Sequence, residues 1–402
     1  MNEKIKEELF ANIERNAPDL ISMADMICDN PEVGLEEYKA SGWLSAYLAD
    51  RGFSVETGIG GLETAFKGTR SFCGGVSLGL LCEYDALEGI GHGCGHHIQG
   101  PAVCGCAAAL ADVMGAFADL HPFTVIVYGT PAEETVGGKV TMLGNGCFRD
   151  IDVAIMTHAS SSGTSVDNRT LAMSSYIVRF QGIGSHAAIA PEKGRSALDA
   201  FLLAASGVEF MREHVPPDVR MHYTITGDTG PVNVVHESAS AKFTLRSYSR
   251  ETLDGVKNRF EKIIRGASLM TGADCAVQEV VSYDDAVPVD SLAGLLMENA
   301  RFVGAPDIRP PRERTGSTDF GNVSRLIPGA CLRVASDGEG HVPGHSREAA
   351  ALGKSDENHD AIIVAAKVIS AACCDLIMSP PKMEEIKKEF EEKRRGQVNA
   401  DG

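Results

Sequence analysis

The pattern of apolar and polar positions changes character along the chain. From 3 to 28 the apolar residues recur at helical spacing, and Asp29-Asn30-Pro31-Glu32 closes that helix with turn chemistry. Trp43, Leu44, Tyr47 and Leu48 form a second helical face, stopped by Arg51-Gly52. Between Phe53 and Asp85 the signals become strand-like. They culminate in Val76 to Leu81, a run without charge that predicts a strand buried on both faces. Phe123 to Tyr128 and Asp152 to His158 repeat that pattern. After Pro101, which suits a first helical turn, Ala102, Ala107, Ala108, Ala109 and Ala111 predict a helix packed closely on a sheet. Each apolar strand runs into polar chemistry: Asp85 and a Cys/His loop, Glu133-Glu134, and His158. Strands alternating with helices predict an α/β fold with a mostly parallel, doubly wound sheet, its site beyond the strand carboxyl ends.

Near residue 171 the order changes. Strands over 172–181, 220–226, 239–248 and 275–283 are interleaved with helices over 195–213 and 252–269, the strand-helix-strand-strand-helix-strand order of a ferredoxin-like α+β sandwich. The expected organisation is a first part over 1–170, an inserted domain over 171–285 and a second part over 286–402. The second part includes a strand over Ala330 to Ala335 and a helix over 358–378, ended by Ser379-Pro380-Pro381. The charged tail from Lys382 is expected to be a solvated, partly helical segment. A chain of 402 residues is long enough for two cores.

Composition narrows the class. A formal charge of -18 repels phosphate backbones and anionic lipid surfaces, so nucleic acid and membrane are not expected partners. No apolar run reads as long enough to span a membrane, and the charged start, Met1 to Glu8, lacks a signal-type apolar core. Eleven cysteines are too sparse for a disulfide scaffold, and Cys82, Cys104, Cys106, Cys373 and Cys374 sit in apolar or small-residue surroundings. A reducing cytoplasm is the expected location.

The chemistry concentrates in Gly91 to Gly100, where His92, Cys94, His96 and His97 are spaced by glycines after an apolar strand. Such a loop suits a metal site, although glycine-flanked histidines also line solvated loops and the spacing matches no short structural zinc motif. His158 read alone is a satisfied strand-end imidazole, Glu133-Glu134 a solvated helix start, and Arg246 a solvated strand residue. A cysteine hydrolase using Cys94 with His96 or His97 lacks an evident orienting partner.

Taken together, Gly93-Cys94-Gly95-His96, Pro131-Ala132-Glu133-Glu134, the strand ending in His158 and Gly182-Ile183-Gly184-Ser185-His186 resemble, in order and spacing, the aminoacylase/carboxypeptidase family of co-catalytic metallopeptidases. Cys94 in the loop resembles its amidohydrolase branch. Glu83 to Leu87, Ser317 to Asn322 and Pro343-Gly344-His345-Ser346 resemble its p-aminobenzoyl-glutamate hydrolase B-subunit and Xaa-Arg dipeptidase group. The resemblance implies two divalent metal ions, zinc or manganese first, with cobalt or nickel also compatible with thiolate, imidazole and carboxylate donors. It assigns Cys94 as the bridge, His96 and His158 to one ion, and Glu134 and His345 to the other, with His341 a rival for the last place.

Glu133 would be the general base in hydrolysis of an N-acyl, aminoacyl or aroyl amino acid bearing a free carboxylate. His186 would stabilise the oxyanion, and Asn233 and Arg246 would bind the substrate. Asp85 would orient a ligand. The inserted domain would carry a homodimer interface. His97 departs from the Asp or Asn usual at its place and leaves the coordination open. A catalytically silent binding or carrier subunit is the alternative function.

Overall fold

The structure is a computed structural model that describes residues 2–227, 230–338 and 341–400. It divides into two compact units, one formed by 1–169 with 286–402 and the other by 170–285.

In the larger unit the strands are β1 (Ser54–Thr57), β2 (Phe66–Phe72), β3 (Val76–Cys82), β4 (Phe123–Gly129), β5 (Val153–Ser160) and β6 (Ser165–Val166). The other unit supplies β7 (Ala172–Gln181), β8 (Ser185–His186), β9 (Arg220–Thr226), β10 (Val234–Val235), β11 (Ser238–Ser247) and β12 (Asp274–Tyr283). The chain then returns to the larger unit with β13 (Gly329–Ala335). The helices are α1 (Asn2–Asp29), α2 (Tyr38–Asp50), α3 (Gln99–Ala109), α4 (Gly138–Gly144), α5 (Ala197–Arg212) and α6 (Arg250–Thr271). They continue with α7 (Asp290–Val303), α8 (Phe320–Ser324), α9 (Arg347–Ala351), α10 (Asp356–Met378) and α11 (Pro380–Ala400).

The larger sheet runs β1-β2-β4-β3-β5-β13-β6. Its middle four strands are parallel, as the alternation of strands and helices predicts, while β1, β2 and β6 add antiparallel edges. Period-2 alternation separates the two faces. Leu78, Leu80, Val125, Val127, Ile155 and Leu332 share a core with α1, α3, α7 and α10, whereas Leu81, Ile126, Tyr128 and Met156 pack with Met142, Phe320 and Val323. Helices cover both faces, so the parallel strands need no polar side. β3, β4 and β5 all end at the same edge, which delivers Asp85, Glu133-Glu134 and His158 together.

The smaller unit has the sheet order β12-β7-β11-β9, all antiparallel, with α5 and α6 sharing its core through Phe201, Val208, Phe260 and Ile264. This is the expected ferredoxin-like arrangement.

Two expectations are corrected. The terminal segment is a full helix, α11, and it is not simply solvated: Met383, Ile386 and Phe390 lie one helical face apart and are buried in the core. Pro380 opens this helix instead of merely ending the previous one, because the first helical positions need no N–H donor. Two helical stretches, His96–Phe117 and Asp356–Met378, do reach membrane-spanning length and apolarity. Both are mostly buried against the rest of the protein, as core helices are.

Candidate active site

The loop after β3 turns sharply at Gly95, whose φ of 83° and lack of a side chain are both required. A Cβ there would lie 2.4 Å from the Ala159 Cβ. This turn sets Cys94 and His96 on one side. Cys94 Sγ lies 3.5 Å from His158 Nε2, and the His96 and His158 rings meet edge to face at 5.4 Å. His345, in left-handed backbone at φ 61°, is tied to the same loop by its N–H donating to the Gly93 carbonyl at 2.9 Å. Its Nε2 lies 3.3 Å from Glu134 Oε1. The donors Cys94, His96 and His158 fall within 4.8 Å of one another, as do Cys94, Glu134 and His345, and His96, Glu133 and Glu134.

Asp85 connects these loops. Its Oδ1 accepts from His96 Nδ1 at 3.0 Å and its Oδ2 from the Glu134 backbone N–H at 2.9 Å. Nδ1 of His96 therefore carries a proton, and Nε2 faces the cluster 3.3 Å from Glu83 Oε2; burial would lower this ring, but the neighbouring Cys94, Glu83 and Asp85 outweigh it and hold it well above its ordinary value. His158 is held the same way, with Nδ1–H donating to the Ala159 carbonyl at 2.7 Å. Burial, and next the Arg333 guanidinium, lowers His158 to about 3, so this imidazole is neutral. Burial pushes the Cys94 thiol up to about 12, so only a dication would make it a thiolate. Among the described residues His96 Nε2 and Glu134 Oε1 are buried and make no hydrogen bond, their nearest opposite-charge contacts being Glu83 Oε2 and His345 Nε2, each at 3.3 Å. Buried polar atoms left in this way, aimed at one point beside a thiol and a neutral imidazole, fit a metal centre.

Beneath the carboxylates lies a buried ion cluster to which the sequence alone assigned no role. Lys139 Nζ donates to Glu83 Oε1 at 2.5 Å and Asp319 Oδ1 at 2.7 Å, and the Lys139 backbone N–H donates to Asp319 Oδ2 at 2.9 Å. Gln99 Nε2 covers Glu83 Oε2 at 2.9 Å. All four side chains are essentially inaccessible. Burial would raise Glu83, but Lys139 and then His96 outweigh it and hold the carboxyl down at about 2. Glu133 carries the opposite shift: burial, and next the charges of Glu83 and Asp319, push it well above the usual carboxylate range. Donor atoms of Glu83, Glu133 and Asp319 lie within 4.8 Å of one another. The signal available in the sequence was that Glu83 and Asp319 sit inside motifs that carry the family resemblance; Lys139, after Gly137-Gly138, had none.

Of the residues singled out from sequence, Cys94, His96, Glu133, Glu134, His158, His345 and Asp85 converge. His341 sits elsewhere, its Nδ1 on the Ser161 carbonyl at 2.9 Å. His97 turns away from the donors and its Nε2–H donates to the Gly353 carbonyl at 2.7 Å, with burial lowering the ring to about 4. It straps the Cys94–His96 loop to the segment that follows His345. In the smaller unit, exposed His186 on β8 pairs with Val234 of β10, and the Asn233 carbonyl accepts from the Ala187 N–H at 3.0 Å. Arg246 is half-buried on β11, which lowers its guanidinium.

Residues 80–366 match the family model described as peptidase family M20/M25/M40. The chain belongs to this family. It is 29% identical to the mouse (Mus musculus) Xaa-Arg dipeptidase, over 96% of the chain and 92% of that protein. It is 32% identical to the Escherichia coli p-aminobenzoyl-glutamate hydrolase B-subunit, over 73% of the chain and 64% of that protein. In fold it is similar to a Bacillus subtilis protein described as a dinuclear metal binding peptidase from the M20 family, with a TM-score of 0.68, 16% identity, and coverage of 91% of this chain and 99% of that one. As an M20 peptidase with dipeptidase and amidohydrolase relatives, the chain is a hydrolase acting on amide bonds.

Proposed function

We propose that this M20 chain hydrolyses the amide bond of an N-acyl, aminoacyl or aroyl amino acid with a free carboxylate, using two divalent metal ions. One observation carries the proposal: two donor triads, Cys94 with His96 and His158, and Cys94 with Glu134 and His345, share the Cys94 sulfur. A thiolate at Cys94 could serve both ions, with His96 and His158 holding one and Glu134 and His345 the other. Two dications bound there would lower the pKa of a water and polarise the scissile carbonyl.

The protein's own residues do the rest. Asp85 and the Ala159 carbonyl fix the tautomers of His96 and His158, so both rings present Nε2. Glu133 would take the proton from the attacking water and deliver it to the leaving amine nitrogen, a role supported by its lying within 4.8 Å of the His96 and Glu134 donors. His186 in oxyanion stabilisation and Asn233 and Arg246 in carboxylate binding belong to the same proposal and rest on their chemistry: a guanidinium is a fixed, always-charged fork.

A homodimer through the smaller unit is also proposed. Leu202, Leu203 and Phe210 are exposed on α5, beside edge strand β9 with its exposed Tyr223.

The test is a panel of aminoacyl, acyl and aroyl amino acids offered to metal-replete and chelator-treated protein, with elemental analysis of both. Turnover that follows metal content supports the proposal. No turnover of any member by the replete protein would sink it and leave a silent binding subunit.

A further inference from the structure

Glu37 belongs to none of the donor clusters, yet its carboxylate is wholly buried. Oε2 accepts from the Thr64 hydroxyl at 2.8 Å and Oε1 from the Ala132 backbone N–H at 2.8 Å. Ala132 immediately precedes Glu133-Glu134 and has a φ of 62°, a left-handed conformation that an alanine adopts only when its surroundings impose it. The Ala132 carbonyl is fixed as well, accepting from the N–H groups of Val136, Gly137 and Gly138. Both polar backbone groups of the residue that aims the two carboxylates are thereby committed.

The segment around Glu37 also reaches the other side of the site. The Glu32 carbonyl accepts from the Ala86 N–H at 2.8 Å, and Val33 pairs with Ala86, next to Asp85. The Glu32 carboxylate caps α2 through the N–H groups of Lys39 and Ala40. At Gly34 a Cβ would fall 2.2 Å from Thr135 Oγ1, so this segment lies directly against the Glu133-Glu134 loop.

We propose that Glu37 is a positioning residue: by holding the Ala132 N–H it sets the direction of Glu133 and Glu134. The inference rests on the roles given to those two carboxylates above.

The test compares Glu37→Leu with Glu37→Gln in the full chain. The amide of Gln keeps a carbonyl oxygen for Ala132 and can donate to the Thr64 oxygen. Leu removes both contacts. Glu37→Leu is expected to lower kcat by about tenfold or more with little change in KM, and to weaken binding of the second Co(II) equivalent to metal-free protein by about tenfold or more. Glu37→Gln is expected to stay within roughly threefold of wild type in both. Leu behaving like wild type, or Gln losing as much as Leu, overturns the inference. Should the Leu variant fail to fold, Thr64→Val removes one support of the carboxylate. A weaker second Co(II) equivalent then upholds the inference, and unchanged binding overturns it. Wild-type protein that turns over no amide refutes the proposed function, while the Co(II) titration still decides the role of Glu37.

Discussion

Lys139→Met removes the cation that lies between the buried carboxylates of Glu83 and Asp319. Glu83 Oε1 and Asp319 Oδ1, at 2.5 and 2.7 Å from Nζ, lose the ammonium, while Gln99 and, at 3.3 Å, His96 Nε2 still face Glu83 Oε2 and the backbone N–H at 139 still covers Asp319 Oδ2. Breaking a buried ion pair from one side costs about 3–5 kcal/mol, and with half the hydrogen bonds retained the expected loss is about 4 kcal/mol. The assay is urea unfolding of metal-free protein, read on the transition of the larger unit. Two signs accompany the magnitude. Adding Asp319→Asn to Lys139→Met should restore at least about 1 kcal/mol, because it deletes one uncompensated charge. Without the ammonium, Glu83 and Asp319 would have raised pKa values in the folded state. Their penalty should therefore shrink as pH falls from the raised folded values toward the ordinary carboxylate range, vanish below it, and grow as pH rises. A loss under about 1 kcal/mol, or a further loss on adding Asp319→Asn, would refute the electrostatic reasoning.

Glu133→Ala should lower kcat by about a hundredfold or more while leaving metal content nearly intact, measured by steady-state kinetics and elemental analysis; loss of metal instead would make Glu133 a ligand. His97→Asn replaces the imidazole with a shorter amide that leaves the Gly353 carbonyl unsatisfied. The expected cost is about 1–3 kcal/mol by denaturation, together with faster metal release to a chelator. Burial raises Glu37 from 4.5 to about 7, against the opposing hydrogen bonds of Thr64 and Ala132. Because the folded state then binds the proton more tightly, this group's contribution is present below the unfolded pKa and is lost as pH climbs through the folded value. Metal-free wild type should lose about 3 kcal/mol relative to Glu37→Gln between acid and neutral pH, and parallel stability curves for the two would count against it.

Local periodicity carries far in this chain because its strands and helices are regular. The uncharged runs at Val76, Phe123 and Val153 mark parallel strands, and their polar ends mark one edge of one sheet. The order of elements between 172 and 283 already specifies the smaller unit's sandwich, since its pairing follows from short-range alternation and connection rules. The tail is harder to read. Met383, Ile386 and Phe390 form a stripe too sparse among charges to announce burial until α11 lies against the core.

The sequence by itself determined that a cysteine, histidines and paired carboxylates would end strands at a common sheet edge. Only the tertiary structure decided which of them face one another and what holds them there. Nothing in the residues beside Lys139 marks it for a role. It is a buried cation because carboxylates 56 and 180 positions away close on it. His97 reads as one more member of the Cys/His loop. It is a strap because the carbonyl it meets belongs to a residue 256 positions further along. Glu37, equally unmarked by its neighbours in the chain, becomes a hold on Ala132 through a contact 95 positions away. Periodicity is set by neighbours in the chain, whereas partners for buried charge are supplied by whatever the fold brings near. That is why the donors were legible and their supports were not.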